Sequence, residues 1–228
     1  MPLRCDVEVW RIDLRTAPAP DEEALALLPP DERARHAAFL QPAPAKAFAL
    51  ARIGLRRLLA RRLGCAPRDI PIVSDARGKP VVADAAHCFF NVSHTDACVL
   101  LALSDEAEVG VDIEHESAMA EARHLRPHIC SLAEHAWLVV RESDADAALA
   151  RLWARKEAVL KAWGTGLARP MSSLDLGDLQ ATAGLVEIPG DVPAAWRDLV
   201  IVPGEAAAVA AAAHGVQGVR VIDRGDAP

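Results

Sequence analysis

Apolar and charged residues alternate through VEVWRIDL (7–14), which predicts a strand. TAPAPDEEALALLPPDERARHAAFL then holds two short helical patterns interrupted at Pro29–Pro30. AKAFALARIGLRRLLARRLG (45–64) is the clearest helix: Phe48, Leu55, Leu58, Leu59 and Leu63 share one broad stripe, and Gly64 supplies the stop. IPIVSDARGKPVV predicts a strand, a turn at Ala76–Gly78 and a second strand. FFNVSH (89–94) is extended, and ACVLLAL (97–103) is a buried strand. After the turn SDEAE, VGVDIE (109–114) is expected to return as the second arm of a hairpin. Helical patterns follow around 131–141 and over ALARLWARKEAVLKAW (148–163), the latter ending at Gly164. Short strands and Pro/Gly turns fill the remainder. Within it, GEAAAVAAAAHG (204–215) is helical by alanine propensity but bracketed by LVIVP and VRVID, and is expected to be a strand.

Strands and a helix, then strands and a helix again, predict an α+β protein of two similar halves meeting near residues 103–110. The expected division is 1–106, with the basic helix, and 107–228, with the acidic motifs. Hydrophobic residues make up 52% and aromatics 4%, with no tyrosine, so the core must be built from Leu, Val and Ala. A net charge of −7 suits a soluble chain and argues against nucleic acid as a partner. One region departs from that average: Arg33 to Arg68 holds nine basic residues and no acid. The five cysteines are scattered, with no C-x-x-C pair, which fits reduced thiols. No apolar signal core opens the chain, and the apolar runs fall short of the roughly 20 residues that span a bilayer. These features lead to the expectation of a soluble, cytoplasmic protein with no membrane partner.

Four stretches carry potential chemistry. In VGVDIE, residues two apart share a face, so Gly110, Asp112 and Glu114 lie together. The pair of acids is either the polar face of an edge strand or a holder of a cation; oxygen ligands alone would suit a hard ion such as Mg²⁺. In WARKEAVLKAW, Glu157 and Lys161 share a helix face between Trp153 and Trp163. They are either a surface ion pair or a third metal carboxylate beside a phosphate-binding cation. Ser93 and His94, in FNVSHTD, are neighbours in an extended chain and point apart, which does not make a hydrolase triad; hydrogen bonding to a phosphate suits them better. Lys79 follows a turn glycine in RGKP. The chain contains no G-x-S-x-G, GxxxxGK[ST] or GxGxxG. Taken together, three carboxylates, a helix lysine, a Ser–His pair and a turn lysine suggest Mg²⁺ on a diphosphate ringed by cations, the apparatus of phosphoryl-type transfer.

The ordered set GVDIE, W-x-x-K-E-A-x-x-K, FNVSH, RGKP and GTGL resembles the signature of 4′-phosphopantetheinyl transferases of the longer, Sfp-type class. The resemblance implies a pseudodimer of two α+β halves with coenzyme A in the cleft between them. It implies transfer of the phosphopantetheine arm of coenzyme A to a serine of an apo acyl or peptidyl carrier protein, with release of 3′,5′-ADP. Mg²⁺ would be held by Asp112, Glu114 and Glu157. Lys161 would contact phosphate and assist the leaving group. Asn91, Ser93 and His94, all within FNVSH, would bind coenzyme A, as would Lys46, Lys79 and Arg35, the last four residues before Phe39. The F-S-x-x-E pattern of the proposed base matches Ser131 and Glu134, with Cys130 in place of the aromatic. Relatives carry two arginines before the long helix where this chain has Lys46 and Ala47; Arg52 or Arg56 are the expected substitutes. Longer members are mostly monomers. The competing reading is a coenzyme A or carrier-binding module that has lost the reaction.

Overall fold

The computed structural model describes residues 4–140, 145–201 and 203–226. The chain opens with strand β1 (Cys5–Asp13), two short helices α1 (Glu22–Leu25) and α2 (Pro30–Ala37), and the long helix α3 (Pro42–Leu63). Strands β2 (Ile72–Ser74) and β3 (Pro80–Val82) form a small hairpin, and β4 (Phe89–His94), β5 (Cys98–Ser104) and β6 (Glu108–His115) follow. Helices α4 (Ala118–Glu121), α5 (Arg126–Ile129), α6 (Leu132–Val140) and α7 (Ala145–Trp163) come next. The chain closes with β7 (Ala183–Val186), β8 (Ala194–Leu199), β9 (Glu205–Ala212) and β10 (Val219–Asp226). Arg141, which the sequence placed in the α6 pattern, and Val202, in the LVIVP stretch, lie outside the described residues.

Helix α3 begins at Pro42, three residues before its predicted start, because the first four N–H groups of a helix have no partner and prolines there cost nothing. It ends where expected, with Gly64 left-handed at φ 69°. Leu55, Leu58 and Leu59 enter the core with Val99, Leu101 and Leu103 of β5, whereas Phe48 packs on Phe39 and Leu63 is 39% exposed.

Two four-stranded sheets form, in the orders β10-β1-β5-β4 and β6-β9-β8-β7. Each carries one long helix: α3 covers the first and α7 the second. Between them, Val7, Val9, Leu100 and Ala102 pack against Val109, Val111, Ile113 and Val209. The α+β architecture of two halves, each one sheet with one helix, is therefore as expected. The predicted β5–β6 hairpin does not form. Strand β5 pairs with β1 on one edge and β4 on the other, so it has no edge left for β6, which instead pairs with β9. Strand β10 also crosses between the halves, running parallel to β1 in the first sheet.

The alanine-rich stretch is strand β9, central in its sheet and buried on both faces. Ala207, Val209 and Ala211 face the other sheet; Ala206, Ala208, Ala210 and Ala212 face the cluster that includes α7. Pairing on both edges overrides the helical propensity of alanine, and small side chains let the layers on either side approach.

Candidate active site

Strand β6 carries the first two acids. Gly110 shows which way their face points: a Cβ there would lie 2.0 Å from the Ala158 carbonyl oxygen and 2.5 Å from the Ala162 nitrogen. Helix α7 is therefore pressed flat against the face that also bears Asp112 and Glu114. Asp112 is buried at 3% exposure, which eliminates the alternative of a solvated edge-strand face.

Lys161 reaches from α7 to this face. Its Nζ donates to Asp112 Oδ1 at 2.5 Å, to the Val111 carbonyl at 3.2 Å and to Ser93 Oγ at 3.4 Å. It is not half of a surface pair with Glu157. Ser93, on β4, donates to Asp112 Oδ1 at 2.9 Å. FNVSH, GVDIE and W-x-x-K-E-A-x-x-K, distant in the chain, thus supply Ser93, Asp112 and Lys161 to one point. Trp153 stands by Glu114 and draws its carboxyl down, against the larger upward push of burial.

The three acids feel one another. Burial pushes the Asp112 carboxyl up, against the pull of Lys161 and Ser93. Burial first, then the charges of Asp112 and Glu157, raise Glu114 to about 7. Burial also raises Glu157, against Lys161, and the Asp112 charge adds to the rise. Among the described residues, no three Asp, Glu, His or Cys side chains stand close enough to hold a metal ion as placed. The chemistry of the set nevertheless fits a hard dication. All the donors are oxygens, and Asp112 Oδ2 is buried with no hydrogen-bond partner.

Comparison with known proteins agrees with this convergence. The family model described as the 4′-phosphopantetheinyl transferase superfamily matches residues 108–212, and that of the 4′-phosphopantetheinyl transferase N-terminal region matches 17–106. The 4′-phosphopantetheinyl transferase HetI of Nostoc is 30% identical over 220 residues, covering 93% of this chain and 90% of the relative. The chain belongs to the 4′-phosphopantetheinyl transferase superfamily. It is also similar to AcpT of Salmonella typhimurium, 39% identical over 121 residues (53% of this chain, 61% of the relative). Sfp of Bacillus subtilis is 25% identical over 194 residues, or 84% of this chain and 85% of the relative.

The other residues singled out in this phosphopantetheinyl transferase have mixed fates. His94 ends β4, exposed, one position beyond Ser93. Arg35 stacks over the Phe48 ring at 4.9 Å and lines an open cavity of about 260 Å³ with Arg52, Ser74 and Pro80. Lys46 donates to the Leu14 carbonyl at 2.8 Å. Lys79 bridges the halves, bonded to Glu108 Oε2 at 2.6 Å and to the Val109 carbonyl at 3.1 Å. Asn91 is buried, and its Oδ1 accepts from the Val111 N–H at 3.0 Å, which puts it on β6 rather than toward a ligand.

Two expectations need correction. Glu134 does not suit a general base: it is 2% exposed and both its oxygens are committed. Oε2 accepts from Ser131 N at 2.7 Å and from Lys156 Nζ at 2.5 Å, and Oε1 accepts from Leu176 N at 3.0 Å. With Ser131 Oγ accepting in turn from Glu134 N, the S-x-x-E pattern is a capping box that starts α6. Arg56 likewise cannot stand in at a nucleotide phosphate. It is 2% exposed, paired with Glu32 and bonded to the Pro67 and Ile70 carbonyls; Arg52 pairs with the same acid. Glu32 lies one residue before the acid-free window, so a window count missed it.

Sequence reading also missed Lys156. It is fully buried, and Nζ donates to Glu134 and to the Ile129, Met171 and Leu174 carbonyls. The signal was present, since Lys156 is the first lysine of W-x-x-K-E-A-x-x-K, and its place one position before Glu157 turns it to a different side of α7.

Proposed function

We propose that this chain is an Sfp-type transferase that moves the phosphopantetheine arm of coenzyme A to a serine of an apo acyl or peptidyl carrier protein. The reaction would require Mg²⁺ and release 3′,5′-ADP, and the enzyme would act as a cytoplasmic monomer. No helix among the described residues is long and apolar enough to cross a membrane. The observation that carries this reading is the meeting of Ser93, Asp112 and Lys161 beside two further acids whose carboxyls are raised.

Asp112, Glu114 and Glu157 are the residues that would hold Mg²⁺. Bound there, the ion would neutralise the coenzyme A diphosphate and polarise its phosphorus toward attack. Lys161, already directed at this point, offsets charge on the departing phosphate oxygen. The exposed His94 side chain offers a hydrogen-bond donor to the same phosphates, and the Ser93 hydroxyl, which donates to Asp112 in this structure, would turn to join it when coenzyme A binds. With Glu134 sealed in the core, the carrier serine proton passes to a carboxylate of the site itself. Glu157 suits that role by position: it lies one turn from Lys161 on α7, on the helix pressed against the acids of β6.

The test is incubation with coenzyme A, Mg²⁺ and a panel of apo carriers, followed by intact mass. Gain of one phosphopantetheine arm is expected on at least one carrier and must vanish with chelator. Unmodified carriers across fatty-acid, polyketide and peptide types would overturn the proposal.

A further inference from the structure

Each sheet has one edge at the junction of the halves: β4 ends the first sheet and β6 ends the second. Such edges commonly join by main-chain pairing, yet here side chains bridge them. Asn91 and Ser93, two apart on β4, share a face. Asn91 Oδ1 accepts from the Val111 N–H, and Ser93 Oγ donates to the next residue, Asp112. Val111 is also held from the opposite element, since its carbonyl accepts from Lys161 Nζ. One residue of β6 is thus fixed by its N–H to the first half and by its C=O to α7, and its successor bears the buried carboxylate.

We infer that Asn91 is a positioning residue: its side-chain carbonyl sets the register of β6 against β4 and thereby aims Asp112 between Ser93 and Lys161. It acts through main chain and needs no contact with coenzyme A. A buried N–H without an acceptor is unfavourable, so removing the acceptor displaces Val111 and rotates Asp112 with it. The inference rests on the transferase reading for its kinetic consequence, but not for its consequence on cation binding.

Asn91→Leu removes the acceptor at similar size, and Asn91→Asp keeps an acceptor. Mn²⁺ binding is followed by the loss of the free-ion EPR signal, alongside kcat and the KM for coenzyme A. Asn91→Leu is expected to weaken Mn²⁺ binding about tenfold and lower kcat about tenfold, with KM for coenzyme A changed less than about threefold. Asn91→Asp is expected to recover most of the Mn²⁺ affinity. Should Asn91→Leu fail to fold, Asn91→Ala, which leaves room for a water on the Val111 N–H, must show the same pattern at smaller size. A raised KM with unchanged kcat would overturn the inference and return Asn91 to the coenzyme A site. Unchanged Mn²⁺ affinity in the folded variants would overturn it as well. If the wild type modifies no carrier, the proposed reaction fails, while the Mn²⁺ measurements still decide the role of Asn91.

Discussion

Glu114 carries the consequence of three acids around one point. Its carboxyl is raised from 4.5 to about 7, first by burial and then by the charges of Asp112 and Glu157. A folded state that binds a proton more tightly than the unfolded chain loses stability as pH rises between the two pKa values. Chelator-treated protein is therefore expected to show a melting temperature that falls from about pH 4.5 to about 7, and Mg²⁺ should flatten that slope. A level profile without metal would mean that the Glu114 carboxyl is not raised in the folded protein. Asp112→Ala and Glu157→Ala are each expected to abolish transfer, a loss of at least about a thousandfold, while leaving circular dichroism unchanged. Near-normal turnover in either variant would take that residue out of the site. The thiols report on packing at the same scale: burial pushes Cys5, Cys98 and Cys130 up to about 11, while Cys65 is exposed. A maleimide at neutral pH should label Cys65 alone in the native protein.

Among the elements, α7 holds the site together because nothing separates it from β6. Gly110→Ala would drive a methyl group into the α7 backbone, and overpacking against main chain costs about 1–3 kcal/mol or more. Urea unfolding is expected to show that loss, with transfer falling further than stability alone explains. Lys156→Met strands the Glu134 carboxylate in the core, at a cost of about 3–5 kcal/mol in the same measurement. Much of this level was legible in the chain. The alternation in VGVDIE placed Asp112 and Glu114 on one face, and Gly64 marked the end of α3. What escaped was whatever depends on partners distant in sequence. Local pattern could not show that both edges of β5 were taken, so the hairpin expectation failed. Nor could it show that Glu134 and Lys156 would meet in the core. The serine and acid of the S-x-x-E pattern were correctly seen as a pair, but a capping box and a catalytic base share the same residue types.

At the scale of the whole molecule, the halves are tied at several points along their junction. Lys79 bonds to Glu108 at one end of β6, Asn91 and Ser93 bond to Val111 and Asp112 within it, and Thr95 Oγ1 donates to Glu205 Oε1 at 2.6 Å near its other end. Strand β10 adds a ladder from Cys5–Val219 to Arg11–Asp226, with a shift in register between Val9 and Arg11. Unfolding is accordingly expected as one transition, with calorimetric and van't Hoff enthalpies in agreement. A chain cut after Val216 exposes an edge of β1 and is expected to be insoluble or to bind a hydrophobic dye.

The pairing of β1 with β10 also bears on synthesis. The first sheet needs a strand that is translated long after β1, so β1 must wait for all of the chain between the two. Closing so long a loop is entropically slow, and during that interval the nascent chain displays an unsatisfied β-edge to the cell's chaperones.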